Sequence, residues 1–101
     1  MLQLENLIFD AINEVIRNIF DDEVAEMLLG FLKENSSMSF EEKLRFFEES
    51  LPKILGSGAV IIEDLILETL YSKLGIKFEQ KRKSFTEYVL DLMVHQVETH
   101  G

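Results

Sequence analysis

The sequence predicts an all-α fold, a compact bundle of about five helices around a central apolar helix at residues 59–74. Apolar residues recur three and four positions apart along most of the chain, which is the spacing of amphipathic helices. One proline and five glycines among 101 residues leave few positions at which a helix must end. The length suits one globular domain, which we expect to span residues 1–101.

The first two helices are expected at residues 2–20 and 23–34. The apolar positions of the first helix repeat with helical spacing: Leu4, Leu7, Ile8, Ala11, Ile12, Val15, Ile16 and Ile19. Asp21 and Asp22 end this helix and cap the next one, because acidic side chains near a helix start favour the positive end of its dipole. A loop at residues 35–38 then precedes the third helix.

The third helix begins with a capping box. Ser39 can accept a hydrogen bond from the amide of Glu42, whose side chain can reach back to the amide of Ser39. Pro52 is expected to divide this helix, because proline has no amide hydrogen and its ring clashes with the carbonyl four residues earlier. Residues 51–55 would then form a short second piece.

The fourth helix, at residues 59–74, follows a turn at Gly56-Ser57-Gly58. This turn lacks the lysine and the third glycine of phosphate-binding loops, so we expect it to serve chain geometry alone. The helix is apolar around most of its circumference, which predicts that other helices surround it. Gly75 is placed to end it, and Ile76 to make the hydrophobic contact of a Schellman motif.

The fifth helix is expected at residues 85–99, after a polar connector at residues 77–83. Ser84 and Glu87 repeat the capping-box pattern at its start. The connector, KFEQKRK, is the most basic segment of the chain. It can be a solvated link between helices, or it can contact a phosphate or the acidic surface of a partner such as a second subunit.

Charge and the absence of cysteine exclude several classes of function. The net charge of −9 repels phosphate backbones and anionic lipids, so we expect neither nucleic-acid nor membrane partners. Without cysteine there is no disulfide, thiolate metal site or thiol nucleophile. The sequence begins without the basic segment of a signal peptide, and no apolar run approaches the ~20 residues of a membrane span, so the expected location is the cytoplasm.

Three carboxylates of the fourth helix are the candidate ligand-binding residues: Glu63, Asp64 and Glu68. Asp64 and Glu68 share a face at i, i+4, and paired carboxylates in a cleft can transfer protons or hold a divalent cation. These carboxylates can equally form the solvent edge of the helix or pair with Lys73 or Arg17.

A second polar group lies near the end of the sequence. His95 and Glu98 share one helix face, and His100 follows them. Di-iron bundles need repeated Glu-x-x-His motifs on facing helices, and the sequence has no such repeat. Solvated polar residues are therefore the favoured interpretation, and we expect neither a metal nor a cofactor.

Phenylalanines of the third helix are the candidate interface residues. Phe46 and Phe47 are adjacent, so both cannot face the same core. Together with Phe31 and Phe40, they exceed what a chain of this size readily buries. An exposed aromatic patch would serve as a self-association face or would receive a partner helix. The alternative is that the third helix is buried on both sides.

Residues 52–94 resemble a known family. Their landmarks are the turn Leu55-Gly56-Ser57-Gly58-Ala59 and the helix stop Leu74-Gly75-Ile76, which resemble the Nitrosopumilus output domain family of archaea. The resemblance implies a small helical domain of archaeal origin with a regulatory or interaction role. It implies no catalytic residue.

Taken together, the patterns predict a non-enzymatic protein–protein interaction or signalling-output module. We expect it to self-associate as a homodimer or to bind a helical protein. The alternative function is a small-ligand or metal-binding helical bundle that uses Glu63, Asp64, Glu68 or His95.

Overall fold

A computed structural model of the chain describes residues 2–33 and 37–99, most of which lie in five α-helices. The helices are α1 (Leu2–Ile19), α2 (Asp22–Lys33), α3 (Phe40–Leu55), α4 (Gly58–Lys73) and α5 (Phe85–Thr99). The described residues contain no strand. The predicted all-α class and the predicted number of helices are confirmed, and helix boundaries differ from the predicted ones by a residue or two.

Side-chain caps fix where three of the helices begin. At the start of α3, the Glu42 amide donates to Ser39 Oγ at 3.1 Å, and the Ser39 amide donates to Glu42 Oε1 at 2.8 Å. In the second capping box, the Glu87 amide donates to Ser84 Oγ at 3.2 Å, and the Ser84 amide donates to Glu87 Oε1 at 2.8 Å. The Val24 amide donates to the Asp21 carboxylate at 3.0 Å, which caps α2. Each bond satisfies an amide that a helix start leaves without a backbone partner.

The end of α4 is a Schellman motif, as predicted. Gly75 has a φ of 71°, in the left-handed region that favours glycine. Its amide donates to the Ser72 carbonyl at 3.1 Å, and the Ile76 amide donates to the Tyr71 carbonyl at 2.9 Å. The half-buried Ile76 packs against the core and completes the motif.

Pro52 does not divide α3, so that prediction is wrong. The helix continues to Leu55, and the Pro52 carbonyl accepts a hydrogen bond from the Gly56 amide at 2.8 Å. Pro52 faces solvent, while Leu51 beside it is completely buried. Tertiary packing of the buried face therefore outweighs the loss of one backbone hydrogen bond. The chain turns instead at Gly56, where φ is 61°.

All five helices contribute to one hydrophobic core. Its fully buried aliphatic and aromatic side chains include Ile8, Ile12, Ile16, Leu28, Leu44, Phe47, Leu51, Ile66, Leu67, Leu70 and Val89. Helix α4 packs against α1, α3 and α5, which places it at the centre as predicted, and α3 packs against α2, α4 and α5. None of the described helices is long and apolar enough to cross a membrane.

The expectation that other helices surround α4 on every apolar side is wrong. Val60, Ile61 and Leu65 are 61%, 64% and 38% exposed, whereas Ile62 and Ile66 on the opposite side are buried. The physical reason is the size of the protein. A chain of about a hundred residues has too few helices to enclose one of them on every side.

Candidate functional site

The structure removes Phe47 from the predicted interface. Its side chain is completely buried, and its ring lies 5.9 Å from the ring of Phe85 in α5. Phe46 is half-buried and packs edge-on against Phe31 of α2, with ring centroids 5.7 Å apart. Adjacent rings on α3 therefore point toward two different neighbouring helices. This arrangement matches the alternative in which α3 is covered on both sides.

Phe40 is also used within the chain. It is half-buried and meets Phe9 of α1 edge-on at 5.3 Å. All eight phenylalanines lie within the described ranges, and none is exposed. Aromatic pairs between helices therefore bury the large apolar residues that the sequence suggested would be exposed, because each pair covers part of both rings. That Phe40 and Phe46 belong to an interface stays a prediction. Less of each ring is accessible to a partner than the sequence suggested.

The exposed apolar surface lies on α4 instead. Ile61 and Leu65 are one helical turn apart and Val60 is beside them; we call these three residues the α4 face. Ile54, 44% exposed, lies on the other side of the turn between α3 and α4. Residues 54–62 contain no charged side chain and are the longest uncharged stretch in the sequence. That uncharged stretch contains Val60 and Ile61, whereas Leu65 follows Asp64.

Glu63 occupies the most unusual electrostatic environment in the structure. It is half-buried on α4, near Glu48 of α3 and Asp64. Burial raises the pKa of the Glu63 carboxyl to about 7, and the negative charges of Glu48 and then Asp64 add to the effect. The Asp64 carboxylate accepts a hydrogen bond from the Gln80 side chain at 3.2 Å. Glu63 has no hydrogen-bond partner among the described residues.

Glu48, which sequence reasoning did not single out, joins α3 to the start of α5. Its Oε1 atom accepts a hydrogen bond from the Thr86 amide at 3.0 Å and another from the Thr86 hydroxyl at 2.7 Å. Thr86 is completely buried, so these bonds satisfy polar groups that water cannot reach. The two residues are far apart in sequence, and no local pattern could have paired them.

Glu68 lies one helical turn after Asp64 on α4, and its surroundings differ from those of Glu63. Glu68 is exposed in a shallow cleft with Lys73 of α4 and Glu14 of α1. Lys73 pairs with Glu14 at 2.9 Å, and Arg17 pairs with Glu26, so neither basic residue neutralises the predicted carboxylates. No group of three or more potential metal ligands occurs among the described residues. The side chains of His95 and Glu98, and all of His100, lie outside the described residues.

The connector between α4 and α5 is held by aromatic rings. Phe78 lies between Tyr71 and Tyr88, with ring centroids 5.1 and 5.4 Å away, and meets both edge-on. The Tyr88 hydroxyl is hydrogen-bonded to the backbone of Lys81. The Lys83 ammonium forms a salt bridge with Asp91 of α5. These contacts give a segment without regular secondary structure a defined path over the helices.

A cleft of about 380 Å³ opens between this connector and the helices beside it; we call it the connector cleft. Its charged lining consists of Lys77, Glu79, Lys81, Lys83 and Asp91. Its aromatic and aliphatic lining consists of Tyr71, Tyr88, Ile76, Leu92 and Val94. The basic connector is recognisable in the sequence, but the cleft is not, because its other walls come from helices on both sides of the connector.

A second cleft, of about 440 Å³, lies between α1, α2 and α3. Its lining is Phe9, Asp10, Asn13, Leu29, Leu32, Lys33 and Lys43.

Comparison with known proteins leaves the chain without an assigned relative. No family model matches it, and neither a curated protein nor a solved structure does so. The resemblance of residues 52–94 to the Nitrosopumilus output domain family stays a prediction.

Proposed function

We propose that this chain is a non-enzymatic interaction module that self-associates through the α4 face. The observation that carries the proposal is the exposure of Val60, Ile61 and Leu65 on a helix whose opposite side forms the core. Adjacent exposed apolar side chains are typical of interaction surfaces. A pair of these faces would remove all three side chains from water.

Association of two copies must be driven by apolar burial, because their charges oppose it. Two molecules with a net charge of −9 repel each other over most of their surfaces. The stretch at residues 54–62 carries no charge, so two copies can bring Val60 and Ile61 together there. Asp64 and Glu68 lie three positions after Ile61 and Leu65, on the same side of α4, so a two-fold contact must keep these carboxylates at its edge. A two-fold symmetric contact needs a surface that is complementary to itself, and the aliphatic side chains of Val60, Ile61 and Leu65 meet that requirement.

We also propose a location and a role for the protein, both of which were predicted from the sequence. We propose a cytoplasmic homodimer with a regulatory or signalling-output role, supported by the resemblance of residues 52–94 to archaeal output domains. The alternative occupant of the α4 face is an apolar helix of another protein, which would occupy the same side chains.

Analytical ultracentrifugation of the native chain and of the double variant Ile61→Gln, Leu65→Gln tests the proposal. Over about a hundredfold range of concentration, the native chain should pass from monomer to dimer. The double variant should raise the dissociation constant about tenfold or more, because buried anchor residues dominate interface energy. Both side chains are exposed in the monomer, so the variant should fold normally.

Met27→Gln is the matched control. Met27 is 44% exposed on α2, away from the α4 face, and its variant should dimerise like the native chain. Dimerisation should also persist at about 1 M NaCl, where charge contacts are screened within a few ångströms. A native chain that stays monomeric at all concentrations, or a dimer that high salt dissociates, would contradict self-association through an apolar face.

A further inference from the structure

We infer that the connector cleft binds a small organic anion, a carboxylate or a phosphate monoester with an apolar body. This inference goes beyond the proposed self-association, because it concerns a different surface and a different class of partner. The cleft differs in charge from the rest of the protein. The chain as a whole is strongly acidic, whereas its most basic segment forms one wall of this cleft.

Two positive charges in the cleft are available to a ligand. Lys83 is neutralised by Asp91, but Lys77 and Lys81 form no salt bridge within the described residues. Glu79 is the remaining charged group of the lining, so the cleft retains a net positive charge. An anion bound between Lys77 and Lys81 would gain charge-assisted hydrogen bonds from ammonium groups.

The backbone that carries these lysines is already ordered. Phe78 anchors the connector between Tyr71 and Tyr88, and the Tyr88 hydroxyl is bonded to the backbone of Lys81 itself. The Schellman motif fixes Ile76 at the beginning of the same segment. A ligand would therefore order only the lysine side chains, which lowers the entropic cost of binding.

Tyr71 supplies a further polar group inside the cleft. Its hydroxyl makes no hydrogen bond with the described residues. Burial raises the pKa of Tyr71, and the nearby Asp91 carboxylate adds to the effect, so the hydroxyl stays protonated and can donate to an anion. The Tyr71 and Tyr88 rings, together with Leu92, form a surface for the apolar part of the ligand.

The size of the cleft limits the class of ligand. Its volume of about 380 Å³ is near the lower end of the range of small-molecule sites, which is roughly 300–1,000 Å³. The cleft has apolar walls and a few convergent polar groups, as small-molecule sites do. A nucleic acid would meet the acidic surface around the cleft, so the charge distribution favours a small anion over a polyanion.

Amide chemical shifts of the full-length ¹⁵N-labelled chain provide the test. Phenyl phosphate and phenylacetate are the two probes, and the one that binds more tightly identifies the phosphate or the carboxylate as the preferred group. Each should shift amides of residues 76–83 and 88–92 in a saturable way, with a dissociation constant of about 1 mM for ligands this small. Inorganic phosphate lacks the apolar body, and benzyl alcohol lacks the anionic group, so each should bind more weakly.

Two variants test the assigned side chains. Lys81→Gln removes one ammonium group and keeps the backbone bond to Tyr88, and Tyr71→Phe keeps the ring contact with Phe78. Each should raise the dissociation constant about threefold or more. Lys53→Gln is the control, since it makes the same charge change on an exposed part of α3.

Three results would overturn the inference. The first is the absence of saturable shifts with both organic probes. The second is an equal effect of Lys53→Gln and Lys81→Gln, which would indicate general charge attraction. The third is equal binding of benzyl alcohol, which would show that the anion contributes nothing. Normal spectra of the variants would exclude unfolding as the cause of weaker binding.

Discussion

At the scale of single residues, Glu63 shows how the fold places a charge where solvation is poor. Its carboxylate lies among Glu48, Asp64 and the packed junction of α3 and α4, without a hydrogen-bond donor among the described residues. Glu48 has the Thr86 amide and hydroxyl as donors, and Asp64 has the Gln80 amide. Glu63 is therefore the member of this acidic group whose ionised form is least stabilised by the protein.

We predict that Glu63→Gln stabilises the protein above neutral pH. The folded-state pKa of Glu63 is about 7, above the ordinary 4.5, so the folded chain holds this proton more tightly than the unfolded chain. The contribution of Glu63 to stability is then largest below pH 4.5 and is lost as the pH rises through about 7. Glutamine keeps the shape without the charge. Since the side chain is half-solvated, the gain at pH 8 should be about 1–2 kcal/mol.

Urea unfolding at several pH values between about 4 and 8 measures this effect. The difference in unfolding free energy between Glu63→Gln and the native chain should grow as the pH rises. Glu68→Gln, a change of the same kind at an exposed position of α4, is the control for the loss of one negative charge. A difference independent of pH would mean that Glu63 titrates alike in the folded and unfolded chains.

At the scale of the helices, α4 combines two surfaces that the sequence makes almost equally apolar. Ile62 and Ile66 are buried in the core, whereas Ile61 and Leu65, each one position earlier in the chain, face solvent. One position along a helix turns a side chain by about 100°, which is enough to move it from one surface to the other. The core side of α4 holds the fold together, and the exposed side is left for the proposed association.

Two glycines, one just after the end of α4 and one inside α2, predict opposite outcomes on substitution by alanine. Gly75→Ala should destabilise the protein by about 1–2 kcal/mol, because an alanine is strained at the φ of 71° that ends α4. Gly30→Ala should stabilise it by about 0.5–1 kcal/mol, because Gly30 lies inside α2 and a Cβ atom there meets nothing within 4 Å. Thermal unfolding of both variants beside the native chain measures the two effects. Destabilisation by both would show that Gly30 has a packing role that its surroundings do not reveal.

At the scale of the whole molecule, charge repulsion opposes folding. The sequence has nineteen acidic and ten basic residues. The salt bridges that involve Arg17, Arg45 and Lys73 lie at the surface, where such pairs contribute little. The folded chain therefore concentrates more negative charge than its ion pairs neutralise.

We predict that added salt stabilises the folded monomer. Between about 20 and 500 mM NaCl, the thermal midpoint should rise by a few degrees because screening weakens the repulsion. The Ile61→Gln, Leu65→Gln variant should be used at low concentration, so that self-association does not contribute. Near pH 4.6, the isoelectric point expected from the sequence, the same series should have little effect. A midpoint that falls with salt at pH 7 would show that attractive ion pairs outweigh the net repulsion.

Local sequence patterns suffice to predict the positions of the helices and most of their ends. Capping bonds join residues three positions apart, such as Ser39 and Glu42, and the Schellman bonds at Gly75 span at most five positions. Helical spacing of apolar residues likewise depends on near neighbours. These features are local, so the residues that form them can be recognised in the chain before its folded shape is known.

Which apolar side chains are covered, and which polar groups meet, depends on how the helices pack together. Phe47 and Ile61 are both apolar residues on helices, yet one is completely buried and the other is largely exposed. Their difference depends on which helices pack beside them, as does the bond between Glu48 and Thr86 across two helices. The connector cleft is formed in the same way, by α4, the connector and α5 together. Sequence spacing along one helix cannot specify such contacts, because they depend on how separate helices are arranged in space.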